Sequence, residues 1–394
     1  MNAVSSIERQ YVAQRRIWIA AAALLAVSIH SLMFVRFDAG DVIRFVVPWY
    51  EHILATGRID AFADPFGNYS PPYLYLLSLI SLLDGPISPY YLVKLLSWVG
   101  AVWMLFAASR LLGVLGTRGI LALFLVLLPS FISNVSMFGQ ADMFWVAPCI
   151  LAVSAAVKGR WVWVAIWSGL AFSFKAQAAF LAPFVLHLFV TRKVPPYVWL
   201  VAPGVYLAAM LSAWLAGWPA WDLATIYLRQ AAWQPQDSYF ISNGASWWTI
   251  YGWLLPRAAL ETFWIGFALA LAAVAAALAF VPKPSARTTM LLATISAAGL
   301  PFLLPGMHER FYLLADILAF LYALAYPSRR SIAAAILMQF ASAFPVYVWA
   351  FELEPLQLLS PPCAIAALFL FLREVNDTAK ASSLVREPGA LASV

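Results

Sequence analysis

Asp38, Asp41, Arg44, Glu51, His52, Asp60 and Asp64 fall within one stretch, Val35 to Leu83, of a chain in which charged residues make up only 11%. Carboxylates gathered at a membrane surface beside a water-filled cleft suit general-base work, in which one of them deprotonates an attacking hydroxyl. Asp41 is the first candidate for that base. Asp38, one turn earlier, is the second, and the choice between them stays open. The structural alternative for Asp41 is a helix N-cap, where a carboxylate is favoured by the helix dipole.

A second cluster, His308-Glu309-Arg310, follows the tight turn Pro305-Gly306. Arg310 offers a forked donor for a phosphate and His308 a second donor, with Glu309 as a substrate contact. The alternative is a solvated cap in which Glu309 and Arg310 merely pair. Lys175 stands inside an apolar stretch and therefore needs a partner. A lipid phosphate or an acid from the first loop would serve; snorkelling to the interface is the competing reading. Gln140 and Asp142 are placed to orient a substrate, although Asp142 suits an N-cap equally. Arg229 reaches for a phosphate or lies exposed at the interface. Trp247 stacks on a sugar or belongs with Trp248 and Trp253 to an aromatic belt. Arg44, Tyr69 and Gln177 complete the substrate-contact set. No Gly-rich nucleotide loop and no His/Cys metal spacing appear, and Cys149 and Cys363 lie in apolar runs as small core residues. The sequence thus calls for no metal and no cofactor, with a divalent ion left open.

The elements that must position these groups are membrane helices. With 394 residues, 64% of them hydrophobic, and a mean hydropathy of +0.83, the chain reads as an all-α polytopic membrane protein. The net charge of +6 is not a nucleic-acid signal, because its distribution follows topology. Hydropathy and Pro/Gly punctuation give about twelve spans: 17–35, 88–109, 118–133, 142–157, 160–174, 176–191, 196–216, 257–281, 287–304, 311–326, 331–350 and 356–372. With both termini cytoplasmic, two thirds of the 24 lysines and arginines fall in inner loops. Counting 71–83 as a span would invert every later loop against the positive-inside rule. That segment and the amphipathic stretch from Asp41 to Ile53 are therefore read as two interfacial helices, the latter with Val42, Phe45, Val46, Trp49 and Ile53 in lipid. The fourth outer loop adds a third, from Trp221 to Trp233. Most of the acids lie outside, which makes the outer face the chemical face. The organisation expected is a catalytic module over 1–216 with its first outer loop at 36–87, an outer loop at 217–256, a C-terminal helix module at 257–372, and a polar, disordered cytoplasmic tail at 373–394.

Four stretches in order carry a resemblance. AGDVIRFVVPWYEHI with NYSPPYLYL, FGQAD at 138–142, FSFKAQAAFLAPF at 172–184 and GMHERFYLLADIL resemble the loop motifs of the GT-C superfamily of polytopic glycosyltransferases. The likeness is to its dolichyl-phosphate-glucose-dependent glucosyltransferases and to bacterial relatives of its GPI mannosyltransferases. The resemblance implies a GT-C-like architecture, a polyprenyl-phosphate-linked sugar as donor, and a glycan, lipid or protein acceptor. It also implies a bacterial inner-membrane enzyme with a periplasmic site, Asp41 as base, and a donor phosphate held by Arg310, His308, Lys175 and Arg229. Transfer would invert the anomeric carbon. Arg310 stands where the glucosyltransferases carry Lys, and the second-loop motif has Asp142 and lacks their histidine. From other classes, a lipid-linked glycan flippase and an O-antigen-type polymerase compete with this reading.

Overall fold

Proline sets where many of the helices begin, standing at the first or second residue of seven of them, as a residue with fixed φ and no N–H should. The computed structural model describes residues 2–232, 244–255, 263–279 and 285–384. Among these the chain is helical: α1 Asn2–Arg36, α2 Val47–Thr56, α3 Pro71–Ile80, α4 Pro89–Val114, α5 Pro129–Ile132, α6 Met143–Val157, α7 Trp161–Phe174, α8 Ala182–Thr191, α9 Pro196–Trp199, α10 Val201–Ala216, α11 Ala220–Ala232, α12 Trp247–Leu254, α13 Phe263–Ala279, α14 Ala286–Leu303, α15 Leu313–Ala325, α16 Arg329–Ala350 and α17 Ser360–Leu384.

Among the described residues six helices are long and apolar enough to cross a membrane: Ile17–Arg36, Pro89–Val114, Pro196–Ala216, Ala286–Leu303, Arg329–Val348 and Leu356–Thr378. Other expected spans are shorter apolar helices. α6, with 15 residues, reaches about 22 Å at the usual rise. The expected straight span at 118–133 is a break. A 3₁₀ segment, Gly119–Leu127, meets Pro129–Met137 at 72°. Leu128, just before Pro129, is extended at φ −71°, ψ 133°, the conformation a following proline ring imposes. The tail differs too: α17 continues through Leu384, so residues 373–384 are helical; 385–394 lie outside the described residues. The helix expected from Trp221 to Trp233 is α11; residues 233–243 of that loop also lie outside them.

The first-loop helices correct a second expectation. Val42, Val46, Trp49 and Ile53 pack with Tyr73, Leu74 and Leu77 of α3, and with Val93, Leu96, Met210 and Trp218. Their apolar face is covered by protein rather than lipid. A larger core joins α4, α6, α14, α15, α16 and α17.

The loop starts from a fixed point. Lys94, fully buried on α4, donates to Phe34 O in the last turn of α1 at 2.7 Å and to Phe37 O just beyond it at 3.2 Å. A cation belongs at that negative end of the dipole. Gly139 packs onto the same lysine at φ +56°, where an added Cβ would come within 2.9 Å of Lys94 Cγ. Only glycine fits both constraints.

Candidate functional site

Two π-helical turns bracket the polar centre: Val42–Val46 follows Asp41, and Ser133–Met137 precedes Gln140. Such turns are rare and gather at functional sites. Asp41 begins the first of them without making a side-chain cap. Its Oδ2 instead accepts from Arg310 Nη1 at 2.5 Å and from Gln140 Nε2 at 3.3 Å. Burial acts to raise the Asp41 pKa, but the Arg310 charge and hydrogen bond, with Gln140, outweigh it and hold the carboxyl below its ordinary value. Arg310 is held firmly cationic against its own burial by Asp41.

Asp142 likewise makes no cap at the start of α6. Its carboxylate takes Lys175 Nζ at 2.5 Å, Asn134 Nδ2 at 2.9 Å and Trp145 Nε1 at 2.9 Å. Lys175 is 4% exposed, so it does not snorkel, and its anionic partner comes from the second loop instead of the first. The lysine is placed by a backbone break: α7 stops at Phe174, and Lys175 is extended at φ −159°, ψ 140° before the 3₁₀ segment Ala176–Leu181. Its Nζ lies 5.1 Å from the centroid of the Tyr69 ring, a cation–π distance.

Two cavities meet at the Asp41–Arg310 pair. The larger, about 610 Å³, is lined by Asp41, Arg44, Gln140, His308, Glu309 and Arg310, and also by Ser130, Ser133, Asn134, Asp316 and Ser342. The smaller, about 370 Å³, shares Asp41, Arg44, Gln140, His308 and Arg310, and adds Asn68, Tyr69, Tyr73, Lys175, Gln177 and Gln230. Their charges differ. The larger has three acids (Asp41, Glu309, Asp316) and two bases (Arg44, Arg310); the smaller has one acid (Asp41) and three bases (Arg44, Lys175, Arg310). Around the smaller cavity, Arg310 Nε, Gln177 Oε1 and Asn68 Oδ1 are buried without a hydrogen-bond partner, an arrangement that asks for a polar ligand. His308 Nδ1 stands 4.0 Å from Glu309 Oε2. Burial, then the Arg310 charge, lower the His308 pKa, and Glu309 and Asp41 offset this only in part. Near pH 7 the imidazole is neutral and donates through one N–H.

Not every expected residue converges here. Asp38 is exposed and lines neither cavity. Arg229 is tied to Asp222, at 2.7 Å side chain to side chain and 2.6 Å to the backbone oxygen, on the exposed side of α11. Trp247 donates to Leu303 O at 3.3 Å and packs on Trp248, away from both cavities. Conversely Asn68, Gln230, Asn134, Ser342 and Asp316 were not anticipated. Asp316 alone had a usable signal, a carboxylate inside the apolar run LLADILAFLYALA. Among the described residues no three His, Cys, Asp or Glu side chains gather to hold a metal. The arrangement puts the excess of cations on the smaller cavity, with the Asp41–Arg310 pair on the wall of both. No protein-family model matches the chain, and no curated protein matches it significantly.

Proposed function

We propose that the chain is an integral-membrane, GT-C-like glycosyltransferase of about twelve spans that moves a monosaccharide from a polyprenyl-phosphate donor to an acceptor hydroxyl. The site would face the periplasm of a bacterial inner membrane, with both termini in the cytoplasm. The observation that carries this reading is the pair of cavities of unlike charge joined at Asp41–Arg310. The donor phosphate occupies the smaller cavity, against Arg310 and beside Lys175, with neutral His308 as a hydrogen-bond donor, while the amide oxygens of Gln177 and Asn68 are left to accept from sugar hydroxyls. The acceptor enters from the larger one.

The resting ion pair has a chemical consequence. While Arg310 bonds Asp41, the carboxylate is a poor base, because its pKa is depressed. A phosphate that takes over the Arg310 bonds restores its basicity, so donor binding arms the base. Asp41 then removes the acceptor hydroxyl proton as that oxygen bonds the anomeric carbon. The bond from that carbon to the phosphate oxygen breaks on the opposite face, and the leaving phosphate takes the electron pair beside Arg310. One displacement inverts the configuration. Cations fixed where negative charge accumulates supply much of the rate.

The test is transfer from radiolabelled polyprenyl-phosphate sugars in proteoliposomes. Arg310→Ala is expected to weaken donor binding much more than acceptor binding; equal effects in separate titrations would remove the phosphate role. Movement of a lipid-linked glycan across the bilayer without sugar transfer would instead identify a flippase.

A further inference from the structure

The larger cavity has an end that the transfer chemistry above does not use. Ser130, Ser133 and Asn134, directly after the Pro129 bend, line it together with Asp316 and Ser342. Asp316 on α15 is 1% exposed. Ser342 Oγ donates to its Oδ2 and the Ser130 hydroxyl stands beside the same carboxyl, while Oδ1 is buried without a close hydrogen bond of its own. Oδ1 of Asn134, 3% exposed, is in the same condition. A carboxylate kept within an apolar helix is costly and marks a substrate or ion path. Among the described residues no lysine or arginine pairs with it.

We infer that this end is a hydroxyl-recognising subsite for a neutral sugar ring, with one ring hydroxyl donating to Asp316. On the transferase reading, on which the assignment rests, the ring is the acceptor's. Three features select this ligand. Unpartnered acceptor oxygens on two separate elements call for two donors on one molecule, and serine hydroxyls serve as donor or acceptor. Leu313, Val346 and Phe138 line the same cavity and offer apolar cover for the C–H face of a ring. The three bases against one acid in the smaller cavity draw an anion there rather than here. The volume of about 610 Å³ falls in the range of roughly 300–1,000 Å³ usual for small-molecule pockets.

The full chain, purified in nanodiscs, is titrated with methyl glycosides of several hexoses and pentoses and with their monodeoxy analogues, followed by saturation-transfer NMR. At least one glycoside is expected to bind saturably. Asp316→Asn should weaken it roughly 3–10-fold, as loss of one hydrogen bond between neutral groups does. One deoxy analogue should bind wild type weakly and be indifferent to Asp316→Asn. Val346→Phe, which narrows the same cavity while leaving Asp316 in place, should abolish binding, and it keeps the test decisive if Asp316→Asn does not fold. The inference is overturned if no glycoside binds, if binding survives both substitutions, or if ammonium or sodium ions displace the glycoside competitively. Failure of the transferase reading looks different: glycosides still bind in an Asp316-dependent way, yet no polyprenyl-phosphate sugar turns over.

Discussion

Two arginine-centred networks stand at opposite ends of α14 and are built to different standards. At its start, Arg287 pairs with Glu374 and donates to Tyr322 Oη at 2.9 Å. Tyr322 Oη donates to Glu374 Oε2 at 3.0 Å, and Ser328 Oγ to Glu374 Oε1 at 3.1 Å. Both carboxylate oxygens are used, and neither cavity reaches them. Beyond its end, Arg310 bonds Asp41 through Nη1 and leaves Nε buried and unpartnered, at the wall of two voids. The first network closes the ends of α14 to α17 onto one another. The second is left incomplete where a ligand would complete it. Charge alone does not mark a site; unspent hydrogen-bonding capacity beside empty volume does.

That contrast breaks at definite points. Asp41→Asn is expected to cost roughly 10²–10⁴-fold in transfer, the usual share of a general base, while donor still binds; full activity with labelled donor would remove Asp41 as base. Lys175→Ala leaves Asp142 charged and buried, which should cost about 3–5 kcal/mol of stability. The paired replacement Lys175→Met with Asp142→Leu should recover much of that midpoint in thermal unfolding, while transfer stays impaired. Glu374→Gln should cost about 1–3 kcal/mol and leave the transfer rate per folded molecule unchanged. A rate loss as deep as that of Asp41→Asn would show that the two ends are not separable in function.

The smallest effect is one of pH. The folded pKa of His308 lies below its ordinary 6.5, so between those values the unfolded chain binds more protons, and stability falls as pH drops through that window. His308→Gln should flatten the thermal midpoint there. Asp41 acts lower down. Its depressed pKa contributes stability that is present above the unfolded value of 3.8 and lost as pH falls through the folded one.

Charge made half the site legible. In a chain so poor in ionisable groups, Asp41, Lys175, His308 and Arg310 stand out, and the structure brings them to adjoining cavities. Periodicity told which face of residues 42–56 is apolar but not what covers it, since lipid and protein select the same residues. The Asp142–Lys175 pair was hidden because the residues lie 33 positions apart, on elements whose packing no local pattern encodes. Ser130, Ser133 and Ser342 gave no signal, since a serine in an apolar helix bonds its own backbone as readily as a ligand. The bend at Pro129 was written in the sequence, but hydropathy averages over such breaks.

The anchoring of α1 bears on the order in which the chain is made. Only 11% of its spanning window is buried, and it is held by Lys94 and by His30, whose ring contacts Val126 O at 2.8 Å and Ser136 Oγ at 2.7 Å. Those partners emerge from the ribosome 96 and 106 residues after the histidine. Lys94 follows Phe34 by 60 residues, and until it arrives α1 must be content as a solitary helix in lipid. Its near-unbroken greasy surface from Ile17 onward is what that wait demands.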